Sequence, residues 1–103
     1  MNKCTQIGRL TKDPETRILA GDNSVTKFTL AVQRRGKKDV ADFIPCVAFG
    51  KTGEIISAHC KKGAKIGVNG HLQSGSYKAQ DGTMKYTLDL IVDEFEFCDS
   101  IQR

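Results

Sequence analysis

The segment "ADFIPCVAFGKTGEIISAHCKKG", residues 41–63, decides the fold because a β-strand pattern changes to a helical pattern within it. Alternate side chains of an extended chain share a face, so the strand is apolar on both of its faces. One face carries Phe43, Pro45, Val47 and Phe49, and the other carries Ile44, Cys46 and Ala48. A small antiparallel sheet needs only one such face for its core. The face that carries the two phenylalanines is therefore core, partner interface or a platform for a ligand.

The second half of this segment predicts one short helix. The apolar side of that helix is formed by residues three or four positions apart, namely Ile55, Ile56, His59 and Cys60. Glu54 is expected in the first turn and Lys61 and Lys62 in the last turn, which suits the helix dipole. Gly63 then ends the helix.

Four further segments have the pattern of strands. Strand one is "NKCTQIGRL" (2–10), with a bend at Gly8, and the turn-rich connection "TKDPETRILAGDNS" (11–24) follows it. Strand two is "SVTKFTLAVQR" (24–34), whose apolar residues alternate with Lys27, Thr29, Ala31 and Gln33. The loop "RRGKKD" (34–39) leads into strand three, and strands four and five are "AKIGVNGHLQ" (64–73) and "MKYTLDLIVDEFEF" (84–97). Between the last two, "SYKAQDGTMKY" (76–86) carries Asp81 and Gly82 at its tip, which predicts a protruding β-ribbon.

The order of these elements predicts an all-β fold, the five-stranded OB-fold Greek-key barrel with one short α-helix between strands three and four. A split barrel of another topology is the alternative. OB-folds bind single-stranded nucleic acid across strands two and three and under neighbouring loops. The surplus aromatic side chains of this chain lie on predicted strand three.

Length and composition predict a single domain over residues 1–103, without a membrane span. The N-terminus "MNKCTQIGRL" lacks the apolar core of a secretory signal, so a cytoplasmic location is expected. Four scattered cysteines without a C-x-x-C pair are interpreted as reduced structural thiols. A zinc site that combines them with His59 or His71 would lack the usual short ligand spacings, so no metal or other cofactor is expected.

The basic charge is concentrated in the first 88 residues. The net charge is +4, yet residues 89–103 hold five acidic side chains and only one basic side chain. An excess of basic residues over positions 1–88 suits a polyanionic partner, although solvated lysines on any small basic protein give a similar pattern.

Single-stranded nucleic acid is bound without sequence preference by rings on which bases stack and by cations along the backbone. The candidate rings are Phe43, Phe49 and Tyr77. The candidate cations in or beside the flanking loops are Arg34, Arg35, Lys37, Lys38, Lys51, Lys78 and Lys85. The alternative is that the phenylalanines are core or interface residues, that the tyrosine caps the ribbon and that the lysines are solvated.

Several motifs in the right order resemble the bacterial and phage single-stranded DNA-binding proteins. The similarity runs from Met1 to about Phe97 and includes "IGRLTKDPE", "FGK" after strand three and "KKG" before strand four. The resemblance implies a homotetramer of OB-folds that binds and protects single-stranded DNA during replication, recombination and repair, without catalysis. By position, Phe43 and Phe49 match the stacking aromatics of strand three, and Tyr77 matches the aromatic at the base of the ribbon.

The chain departs from the family pattern in three places. The aromatic often found near the end of strand two is absent, and Arg34 and Arg35 are the candidates to replace it by stacking a guanidinium plane on a base. Ile18 stands where many members have a tyrosine. The sequence ends with "FEFCDSIQR" rather than with a linker and an acidic, aromatic tip, so recruitment of replication proteins through a tail is not expected.

Other functional classes explain fewer of these features. An OB-fold dimer of the primosomal type, which bridges replication proteins, would have a poorer aromatic platform, and the mass of the native assembly distinguishes it from a tetramer. Cold-shock-like RNA chaperones are shorter and lack the helix. The sequence contains no phosphate-binding loop, nucleophile constellation or metal motif that would indicate an enzyme.

Overall fold

The computed structural model describes residues 1–98 and contains six strands, one α-helix and one 3-10 helix. The strands are β1 (Cys4–Leu10), β2 (Glu15–Ile18), β3 (Ser24–Gln33), β4 (Ala41–Phe49), β5 (Lys65–Lys78) and β6 (Met84–Phe97). Helix α1 (Gly50–His59) lies between β4 and β5, and the 3-10 turn spans Ala20–Asp22. The last five residues, 99–103, which belong to the predicted domain and to the predicted acidic segment, lie outside the described residues.

Strand pairing closes five of the strands into a ring. The order is β1-β5-β6-β4-β3, and β1 also pairs with β3 through Arg9 opposite Ala31 and Leu10 opposite Leu30. Only β4 and β6 run parallel among the pairs in the described part of the chain. This is the topology expected for the OB-fold, and the helix lies between the third and fourth of the five predicted strands, as the sequence pattern predicted.

The predicted turn-rich connection contains the additional strand β2. It pairs antiparallel with the first half of β3, where Arg17 lies opposite Val25. Because β1 reaches only the second half of β3, the backbone edge at Ser24–Lys27 would otherwise lack a neighbour on that side. Sequence pattern missed β2 because four residues are too few for alternation to stand out between turn residues.

In the part of the chain that the structure describes, eleven buried side chains form the core inside the ring. The largest that are fully buried are Leu30, Ile56, Ile66, Leu90 and Val68. Helix α1 adds Ile56 and packs closely at Gly53, where a Cβ atom would lie 2.6 Å from the Thr26 hydroxyl. The helix ends at His59, so Lys61 and Lys62 follow the helix instead of forming its last turn. His59 is exposed, with its ring 5.8 Å from that of Phe97, and does not join the apolar side predicted for it.

The predicted ribbon is confirmed and extends well beyond the core. Strands β5 and β6 pair continuously to Lys78 opposite Met84, and Gly82 takes a positive φ of 89° in the tip. The Asp81 carboxylate accepts hydrogen bonds from the backbone and hydroxyl of Thr83, which lowers the pKa of Asp81. Residues 1–98 include no helix with the length and hydropathy of a membrane span.

Candidate nucleic-acid interface

The two faces of β4 have different surroundings in the folded chain. Cys46 and Ala48 are buried in the core, and Ile44 packs against it. The opposite face points away from the interior, where Phe43 remains 65% exposed and Phe49 52% exposed. Neither ring belongs to the core of this chain, although Val47 between them is buried, so the two rings are free for a partner or a ligand.

Small side chains stand beside both rings on the neighbouring strand. Ala31 lies opposite Phe43 and Val25 lies opposite Phe49 in the β3–β4 ladder. Directly opposed residues on one face of an antiparallel pair are the closest side-chain neighbours, about 4.5–5.5 Å apart at Cβ. No second large ring in this ladder covers the two phenylalanines, which keeps their surfaces accessible.

Two cations that the sequence analysis did not select lie on the same outward face. Lys27 is opposite Val47, and Arg17 continues the row formed by Val25 and Phe49. Lys27 could have been found, because the alternation of predicted strand two already placed it away from the core. Arg17 could not, because its strand was predicted as a loop.

The ribbon divides the predicted residues between its two faces. Tyr77 is 57% exposed and lies directly opposite Lys85, so a ring and a cation share one face. Lys78, one residue further along β5, lies on the other face. That second face also carries Tyr86, which is 79% exposed and was not selected from the sequence.

In the loop between β3 and β4, one predicted cation is already engaged. The Arg34 guanidinium donates to the Asp42 carboxylate from Nη2 at 2.5 Å and from Nε at 3.1 and 3.3 Å. This hydrogen bonding lowers the pKa of Asp42 and raises that of Arg34. Asp42 alternates with Phe43, so the pair lies on the opposite face from the ring.

The remaining predicted cations are accessible. Arg35, Lys37 and Lys38 are exposed in the same loop, and Lys51 is exposed in the first turn of α1, two residues after Phe49. Of the predicted cations, Arg34 is thus engaged by Asp42 and Lys78 lies on the other face of the ribbon from Tyr77, whereas the others are exposed.

The cysteines are free thiols in different surroundings. Cys46 and Cys60 are buried, Cys4 is half-buried and Cys98 is exposed. Burial, with smaller contributions from Cys4 and Asp89, raises the pKa of Cys46 to about 12, so its thiol stays protonated at neutral pH. Within residues 1–98, no group of three or more His, Cys, Asp or Glu side chains could hold a metal ion.

Comparison with known proteins identifies the family of this chain. The family model described as "Single-strand binding protein family" matches residues 1–98. A protein of Clostridium perfringens named "Single-stranded DNA-binding protein" is 57% identical, over 97% of this chain and 67% of its own length. Relatives from Clostridium tetani and Clostridium acetobutylicum, named "Single-stranded DNA-binding protein" and "Single-stranded DNA-binding protein 3", are each 46% identical, over 94% of this chain and 70% of theirs. The chain belongs to the single-strand binding protein family and spans about two thirds of these relatives' length.

The exposure of Phe49 predicts that its ring contributes little to folding. We expect Phe49→Ala to lower the free energy of unfolding by less than about 1 kcal/mol, because little contact is lost in the core. Phe28→Ala, at a ring only 5% exposed, is the matched control and should cost about 3–5 kcal/mol. Urea unfolding of both variants measures the difference. Unfolding or dissociation of the Phe49 variant would instead identify that ring as part of an interface between copies.

Proposed function

We propose that this chain binds single-stranded DNA without strong sequence specificity, through base stacking on Phe43, Phe49 and Tyr77. The observation that carries the proposal is that all three rings are more than half exposed although each belongs to a regular strand. Large apolar rings held in the open by a rigid sheet are suited to flat ligands. Every nucleobase has a π-face, so stacking tolerates any sequence.

Phosphate groups would be neutralised by cations around these rings. Arg17 and Lys27 lie on the outward face itself, and Lys85 lies beside Tyr77. The loop and helix supply the rest of the predicted set, Arg34, Arg35, Lys37, Lys38 and Lys51, and the ribbon supplies Lys78. Arg34 would have to exchange its contact with Asp42 for a phosphate, so its contribution should be smaller than that of its neighbours.

The cellular role that follows is protection of single-stranded DNA during replication, recombination and repair, in the cytoplasm. The protein would act by binding alone, as a homotetramer and without catalysis. The names of the relatives support DNA binding. Exposed apolar side chains other than the three proposed stacking rings support assembly. These include Ile7, Leu88 and Met84, which are 54%, 55% and 49% exposed.

Removal of a stacking ring should weaken binding without unfolding the protein. Phe49→Ala and Tyr77→Ala are each expected to cost about 1–3 kcal/mol in affinity for oligo(dT), the usual loss for one stacking ring. Tyr86→Ala, on the other face of the ribbon, is the control and should cost less. The chain has no tryptophan, so anisotropy of labelled DNA is the suitable measurement. Equal losses in all three variants would contradict the assignment of the faces.

The salt dependence of binding should report how many phosphates the cations neutralise. The logarithm of affinity for oligo(dT) is expected to fall steeply with the logarithm of salt concentration, by about 0.7 for each phosphate neutralised on a single strand. Lys85→Ala should reduce this slope by about that amount, and Lys78→Ala should reduce it less because its side chain lies on the opposite face. A flat slope for the unmodified protein, or equal affinity for duplex DNA, would indicate a generic basic protein.

Native mass spectrometry tests the proposed assembly. We expect four copies, because the exposed apolar surface of one chain can be buried by packing against others. Two copies would favour the dimeric bridging protein instead. Addition of oligo(dT) to the same sample should give a complex with one tetramer.

A further inference from the structure

A groove of about 200 Å³ lies over Pro45 and Val47 on the outward face of β4, and neither Phe43 nor Phe49 lines it. Pro45 and Val47 line it, and these residues lie between Phe43 and Phe49 on the same face. Sites for drug-sized ligands usually measure about 300–1,000 Å³. The groove is therefore matched to a group smaller than a whole nucleotide, such as one base.

Among the polar side chains around this groove, that of Asp13 accepts a hydrogen bond from the Lys62 backbone N–H at 2.8 Å, whereas two others are without a partner within residues 1–98. Lys27 stands on one side, from β3, and Asp89 on the other, from β6 beside Pro45. Among the described residues neither has a hydrogen-bond or ion-pair partner, and Asp89 is half-buried. A half-buried carboxylate beside an apolar floor, such as that of Asp89, can accept a hydrogen bond from a ligand that offers a donor.

The charge of the groove favours a base over a phosphate. Three acidic residues, Asp13, Glu15 and Asp89, line it together with two basic ones, Lys12 and Lys27. A phosphate placed there would meet a negative field, whereas a neutral base would not. A base whose neighbours stack on the flanking rings could enter with its polar edge toward Asp89.

We propose that Asp89 discriminates between bases, by accepting a hydrogen bond from the exocyclic amino group of a base seated in this groove. Carboxylates accept from the amino group of cytosine in the same way at other protein–DNA contacts. Uracil carries a carbonyl oxygen at that position, and two acceptors would then face each other. The proposal rests on the proposed DNA-binding function and adds to it a modest preference for bases with an exocyclic amino group.

The test compares oligo(dC) with oligo(dU) of equal length at one salt concentration and pH 8. The ratio of the two dissociation constants should shift by about tenfold toward oligo(dU) in Asp89→Ala, the effect of losing one charge-assisted hydrogen bond. Removal of a negative charge alone strengthens binding of both oligonucleotides, so it cancels in the ratio. Asp89→Thr, which suits a strand and also lacks the carboxylate, should give the same shift.

Glu96→Ala is the matched control, because it removes one exposed carboxylate from the same strand at a distance from the groove. Its ratio should equal that of the unmodified protein, and thermal unfolding of each sample verifies the folded state. If both oligonucleotides bind tightly and the ratio is the same with and without Asp89, the inference is wrong and the proposed function stands. If neither oligonucleotide binds, the proposed function itself fails.

Discussion

The alternation of side chains along β4 is the constraint on which the rest of the structure depends. Cys46 and Ala48 must point inward to complete the core, and the backbone geometry then forces Phe43 and Phe49 outward. One strand thus contributes to folding with one face and presents rings with the other. Because the same backbone fixes both sets of side chains, the spacing of the rings is as rigid as the core that supports them.

Closure of the ring supplies the remaining parts of the outward face. Pairing of β3 with β4 sets the small residues Val25 and Ala31 beside the rings, and β2 adds Arg17 to the row that contains Phe49. The parallel pairing of β6 with β4 brings Asp89 to the other side of the groove. Residues from four strands therefore meet on a surface that no single segment could form.

The acidic and basic side chains occupy different parts of this surface. Asp42 holds Arg34 on the face opposite Phe43, whereas Arg35, Lys37 and Lys38 stay exposed in the loop. The groove over Pro45 and Val47 is lined by three acidic residues and two lysines, while the loop and the ribbon carry other exposed cations. Such a division suits single-stranded DNA whose bases lie against the sheet while its phosphates follow the basic loop and ribbon.

The sequence by itself determined the five principal strands, the helix between the third and fourth, the ribbon, and the three rings, since each depends on local alternation or on local turn chemistry. Family motifs over most of the chain added the fold and the expectation of DNA binding. Only the tertiary structure decided which cations share a face with the rings. It revealed β2, which forms because an open edge of β3 accepts it, and it separated Lys78 from Tyr77 and tied Arg34 to Asp42. Those outcomes depend on pairing between segments that are distant in sequence. The periodicity of one segment carries no information about such pairing.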